Sequence, residues 1–164
     1  RPMSRVSPTE PLLPSVLDRL IDHEPDVATE PQWRQVQTVS EFRLCVLRDV
    51  ENLLNARPAR FHLPEAFCET AQSVLTYGLP EFTAVEIRSR EQREQLRQAV
   101  ETIIERFEPR LRNVRVALQP RDTQFDRTLR MTIHALLWVV PDPEPITFDT
   151  LVEPSSGSCK VEPK

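Results

Sequence analysis

An α+β fold is expected from three features of this sequence. Apolar residues recur at three- and four-residue spacing in two stretches of the first 107 residues, the last third alternates apolar with polar residues, and 164 residues suffice for one domain with a single core. The expected architecture is therefore two main amphipathic helices, N-terminal in the chain, packed on a small antiparallel β-sheet. Residues 1–11 are expected to form a disordered polar arm, 12–153 the single domain, and 154–164 a mobile tail rich in Ser, Pro and Lys.

The elements follow in order. Pro14 suits the first turn of a short helix, whose Leu13, Val16, Leu17, Leu20 and Ile21 fall on one face, and Pro25 stops it. So short a helix is marginal alone, so its apolar stripe needs a surface to pack on, within the domain or on a partner. Residues 26–37 read as a loop. Thr38 and Glu41 have capping-box spacing, and behind them Phe42, Val46, Val50 and Leu53 form a stripe with Cys45 and Leu54 beside it, Cys45 reading as a small core residue. That helix ends near Ala56, before Pro58. A helical turn is expected within 65–75, then a tight turn at Tyr77, Gly78, Leu79 and Pro80, with Gly78 at positive φ. The longest helix runs from about Ser89, capped with Gln92, to Phe107, with Leu96, Ala99, Val100, Ile103 and Ile104 on its apolar face.

After Pro109 the period changes to two. Val114, Val116 and Leu118 alternate with Arg115, Ala117 and Gln119. From Leu129 to Val140 the odd positions are all apolar, and the even ones become apolar at Leu136, Trp138 and Val140, so the second half is expected to be covered on both faces. Ile146, Phe148, Thr150 and Val152 supply a third strand, and short connections make a meander.

Composition narrows the function. The net charge of −4 argues against a general nucleic-acid binder, and no apolar run approaches the roughly 20 residues of a membrane span. Cys45, Cys68 and Cys159 lack C-x-x-C spacing and cannot all pair, which fits a reducing, cytoplasmic setting. Lys160 and Lys164 are the only lysines among 21 cationic residues, and arginine suits bidentate ion pairs at interfaces as well as a GC-rich genome.

Catalytic parts are hard to place. Two isolated glycines make no phosphate loop, His23, His62 and His134 are far apart with no second histidine or cysteine at i+3 or i+4, and no G-x-S-x-G elbow occurs. No cofactor or metal site is expected. His134, on the even face of the long strand, reads as a solvent-facing residue. Glu108 is the one carboxylate to test; a glycosidase needs a second, and Glu101 and Glu105 lie on the same helix but belong to its charged face. Arg110, two residues on, is a cation beside it and argues against a general-acid role. The same segment makes a structural clamp, in which an acid and a base flank the proline that ends the helix.

Phe107-Glu108-Pro109-Arg110-Leu111 resembles the Glu-Pro-Arg motif of the phage-tail baseplate wedge "lysozyme-like" family, and in particular of its type VI secretion branch, TssE. Residues 47–57, ending Leu54-Asn55-Ala56-Arg57, are similar to the family's first long helix. Ser73-Val74-Leu75 with Tyr77-Gly78-Leu79-Pro80-Glu81-Phe82 resembles its Ser-Val-x-Asn-Tyr-Gly-Leu-Pro-Asp segment, with Thr76 and Glu81 as departures. Phe148-Asp149-Thr150 falls where the last strand is expected, and the short helix near Leu17 is similar to the N-terminal element of that branch. The resemblance covers roughly residues 12–153.

It implies a fold like the core of the contractile-sheath subunit, and a structural subunit of the cytoplasmic, membrane-docked baseplate rather than an enzyme. Partners so implied are the wedge subunits TssF, TssG and TssK and the sheath subunits TssB and TssC, joined by strand addition at an edge, either Ile146–Val152 or Val114–Leu118. Glu108, Pro109 and Arg110 would meet the sheath, Leu13, Leu17, Leu20 and Ile21 the baseplate, and Tyr77, Gly78 and Pro80 would form a structural turn. This reading expects Glu108 and Arg110 exposed, a free sheet edge and no catalytic pocket. The alternative is a lysozyme-like murein hydrolase, which expects a cleft holding two carboxylates.

Overall fold

The computed structural model of the chain describes residues 12, 15–21, 25–26, 38–59, 67, 69–70, 73–80, 89–119, 128–139, 142–153 and 156–164. The expected N-terminal arm, Leu13, Pro14, Cys68, His23 and His62 lie outside them, as do residues 65, 66, 68, 71 and 72 of the helical turn expected within 65–75, whose last residues fall in a 3-10 turn at Val74–Thr76.

Among the described residues three α-helices, with a 3-10 turn (Val74–Thr76) between the second and third, precede four strands: α1 (Val16–Leu20), α2 (Val39–Asn55), α3 (Arg90–Phe107), β1 (Leu111–Leu118), β2 (Leu129–Leu137), β3 (Glu144–Glu153) and β4 (Ser158–Pro163). Each helix start is fixed locally. Thr38 accepts the Glu41 N–H while the Glu41 carboxylate accepts the Thr38 N–H at 2.7 Å, Ser15 and Asp18 repeat the arrangement on α1, and the Ser89 hydroxyl accepts from Gln92. The α+β class, with helices packed against an antiparallel sheet, is as expected.

The strands form one antiparallel meander in the order β1-β2-β3-β4. α2 and α3 cover one face, α3 lying along β1 and α2 along β4. The core is where the two periodicities meet: Phe42, Val46, Val50, Leu53 and Leu54 of α2 and Leu96, Val100, Ile103 and Ile104 of α3 bury against Val116, Met131, Ile133, Phe148 and Val161 of the sheet. Burial of this order, about 25 cal/mol per Å² of apolar surface, is what orders the layers.

Four expectations fail here. Residues 158–163 are not a mobile tail but β4, paired with β3 from Phe148↔Pro163 to Glu153↔Ser158, with Cys159 and Val161 buried. The reversal before it is closed by the Gly157 N–H donating to the Glu153 carbonyl at 2.8 Å, with Gly157 at φ +68°. Because β4 covers it, β3 is an internal strand, so Ile146–Val152 is not an edge; the edges are β1 and β4. The second half of β2 is not covered on both faces either. Leu136 is half-buried and Trp138 exposed, its ring lying 4.3 Å from the Arg112 guanidinium, which shields one side of the indole. Cys45 is half-buried rather than a core residue.

Candidate functional site

The α3-to-β1 junction is a tight turn. The Glu108 N–H still closes α3 onto Ile104 at 2.9 Å, and the Leu111 N–H bonds the Glu108 carbonyl at 3.0 Å, with Pro109 inside the turn. Proline cannot continue a helix and its fixed φ suits the second position of such a turn, which is why the chain leaves α3 here. Trp138 then donates its N–H to the Arg110 carbonyl at 2.7 Å and ties the turn to β2.

Glu108 is buried, 4% exposed, and is therefore not the exposed group expected. Arg110 folds back over it: Nε bonds Oε1 at 2.7 Å, Nη2 bonds Oε2 at 2.5 Å, and the Arg110 N–H also reaches Oε1. Such a fork is the strong form of a carboxylate pair. The same Nη2 donates to Asp49 of α2 at 2.6 Å. Asp49 turns its other oxygen to Arg48, which also holds Asp18 of α1 at 2.7 Å. The result is an unbroken chain of alternating charge, Asp18–Arg48–Asp49–Arg110–Glu108, running from α1 across α2 to the junction. Burial works against the Arg110 charge, but its bonds to Glu108 and Asp49 outweigh that and hold its pKa above the usual guanidinium value. Its guanidinium also lies 5.6 Å over the Phe42 ring. The expected ion-paired clamp is present; what faces outward is Pro109, with Glu108 behind it as support.

Beside the clamp lies a cleft of about 400 Å³, lined among others by Leu17, Asp49, Tyr77, Glu108, Pro109 and Arg110. It brings together the three groups singled out in the sequence: Leu17 of the N-terminal helix, Tyr77 of the tight turn and all three residues of the Glu-Pro-Arg segment. Tyr77 packs edge-on against Phe107 with centroids 5.3 Å apart, and its phenol pKa is raised by burial and by the nearby Asp49 and Glu108 carboxylates. The cleft does hold two carboxylates, as a hydrolase would need, but both are tied to Arg110. Both Glu108 oxygens are acceptors of the fork, so neither is placed to donate a proton to a leaving group. Among the described residues no group of three His, Cys, Asp or Glu is placed to hold a metal ion, and no helix is long and apolar enough to cross a membrane.

The tight turn is built onto the end of α2. Gly78 has φ +115°, and a Cβ there would sit 2.5 Å from the Ala56 carbonyl oxygen, so only glycine fits. The Leu79 N–H donates to that carbonyl at 3.1 Å. Arg57 caps α2 through the Leu54 and Ala56 carbonyls and also donates to Gly157 in the β3–β4 turn. α1 lies at the mouth of the cleft with its apolar residues outward: Val16 is 74%, Leu17 50% and Leu20 75% exposed, while Ile21 is half-buried.

Sequence reasoning missed the side chains that close the sheet edges. On β1 the Val116 N–H donates to Glu101 Oε1 of α3 at 2.8 Å, and the Val114 carbonyl accepts from Arg115. On β4 the Asn55 amide donates to the Cys159 carbonyl at 2.8 Å and accepts its N–H at 2.9 Å, while Glu51 accepts the Val161 N–H. The free edge expected from the sequence is therefore latched at both ends of the sheet. Asp49 and Asn55 both fall in the helix segment quoted for the resemblance, so the signal was present without its meaning. The pairing of Glu101 with a strand amide had none.

One solved chain, from "The baseplate complex from the type VI secretion system", is 17% identical, with a TM-score of 0.47 over 70% of this chain and 96% of that one. No curated protein matches. The family model described as "Baseplate wedge protein gp25" matches residues 40–142, from α2 through β2 and including the Glu108–Arg110 turn. With well over half its length matched, the chain belongs to the gp25 family of baseplate wedge proteins.

Proposed function

We propose that this chain is a structural subunit of a type VI secretion baseplate, not an enzyme, that joins the wedge complex and nucleates assembly of the contractile sheath. The observation that carries it is the use made of the Glu-Pro-Arg segment: in a member of a baseplate wedge family, its carboxylate is spent on a buried fork that shapes a turn. The type VI assignment draws on the segments Leu54–Arg57, Tyr77–Pro80 and Glu108–Arg110. The partners proposed are TssF, TssG and TssK on the wedge side and TssB with TssC on the sheath side, all in the cytoplasm, with no nucleic acid, cofactor or membrane insertion.

In this reading Pro109 and the lip of the cleft at Arg110 contact the sheath, with Glu108 as their buried support. The outward Leu17 and Leu20, with Ile21 beside them and Leu13 just before, meet the wedge. Tyr77, Gly78 and Pro80 hold the floor of the cleft. Sheath strands join by main-chain pairing at a sheet edge.

Affinity capture from the source cells, with partners identified by mass spectrometry, tests this. Wild type is expected to bring down wedge and sheath subunits. Leu17→Asp with Leu20→Asp, which alters exposed positions, is expected to keep the fold by circular dichroism and to lose the wedge subunits. Absence of both subunit classes from the wild-type capture would refute the assignment, and murein hydrolysis would then be assayed.

A further inference from the structure

We propose that β1 is the edge that receives a partner's extended strand, and that Glu101 is the displaceable latch that keeps it closed beforehand. The inference rests on the reading of the chain as a sheath-nucleating subunit and names the site and its control. At Val116 the N–H that a new strand would use points away from β2 and is held by a carboxylate, the acceptor a strand carbonyl would replace. The same Glu101 oxygen is 2.5 Å from Arg97 Nη1, one helical turn back. When a carbonyl takes over the Val116 N–H, Glu101 keeps its cation, and no charge is left unpaired.

β4 offers no such exchange. The Asn55 amide there makes both bonds that a neighbouring strand would make to Cys159, so it already stands in a strand's place, and Glu51 holds Val161 besides. Opening that edge breaks three bonds to α2, the helix packed along it. β1 is also irregular between Arg112 and Arg115, where Asn113 takes φ +53°. Bulges and charges at an edge oppose pairing between copies of one chain. The regular edge is thus confined to Arg115–Leu118, room for a short strand, and the unassembled subunit is guarded against self-pairing.

The test measures binding of the purified sheath subunit pair to the full chain, with amide exchange of Val116 followed in the complex. Glu101→Ala removes the competing acceptor and is expected to tighten binding about fivefold, the factor for one net hydrogen bond. Arg97→Ala, at a surface position, removes the latch's fallback cation and is expected to weaken it. Asn55→Ala is expected to give no gain, and the Val116 amide of wild type to exchange more slowly than it does when held by Glu101 alone. Tighter binding by Asn55→Ala with none by Glu101→Ala would move the site to β4 and overturn the proposal. Should Glu101→Ala not fold, an unweakened Arg97→Ala overturns it. Wild-type binding that adds no protection at Val116 overturns the edge assignment alone, leaving the baseplate reading intact. No binding by wild type overturns both.

Discussion

Replacing Arg110 with methionine keeps most of the side-chain volume and removes the charge that serves both Glu108 and Asp49. Glu108 has a side chain only 5% exposed, so it cannot recover its lost partner from water. Removing one member of a buried pair costs about 3–5 kcal/mol. Arg110 and Asp49 keep 19% and 16% of their exposure, which places the expected loss near the lower end, about 3 kcal/mol. For a chain of this length that corresponds to a fall in Tm of roughly 6–12 °C. Urea denaturation of wild type, Arg110→Met, Glu108→Gln and the double variant closes a cycle that isolates the pair. The expected coupling exceeds about 1 kcal/mol, with the double variant less damaged than the sum of the singles. A loss below about 1 kcal/mol in Arg110→Met, or a coupling near zero, would refute the clamp as the element that holds this turn.

Further expectations concern other parts of the molecule. Gly78→Ala should cost at least about 2 kcal/mol by thermal melting, since φ +115° and the 2.5 Å approach to Ala56 both exclude a Cβ. Gly157→Ala should cost less, about 1 kcal/mol, because φ +68° is the left-handed region and its near neighbour is only the end of the Arg57 side chain. Burial alone would raise the Asp18 carboxyl, but hydrogen bonds from Ser15 and Arg48 outweigh it and hold its pKa at about 2. Its folded value is therefore depressed, so its contribution is complete above the unfolded value of about 4 and is lost as pH falls through about 2. Amide shifts of α1 followed by NMR should titrate across that window and cease to do so in Asp18→Asn. The Cys159 thiol, pushed up to about 11 by burial, should react with a thiol reagent only on unfolding, and half-buried Cys45 sooner; native-state labelling of Cys159 would contradict the buried β4.

What the sequence by itself determined is the local structure and its class. Thr38 with Glu41 and Ser89 with Gln92 announce helix starts because capping is settled within three residues. The Ile103/Ile104 stripe and the Met131/Ile133/Ala135 alternation announce helix and strand because one face of each must be buried. The ion pair within Glu108–Arg110 was legible for the same reason, two residues apart on a proline turn. Only the tertiary structure decided that Glu108 is buried, that Asp49 shares its arginine across 61 positions, and that the cleft gathers Leu17, Tyr77 and Pro109. β4 was illegible because Cys159 and Val161 are too few to show a period, and its strand form depends on β3 and on Asn55, 104 residues away. The edge latches were hidden likewise. A glutamate on the polar face of α3 reads as solvated in any sequence, and it becomes a strand cap only because the core sets α3 beside β1 at hydrogen-bonding distance.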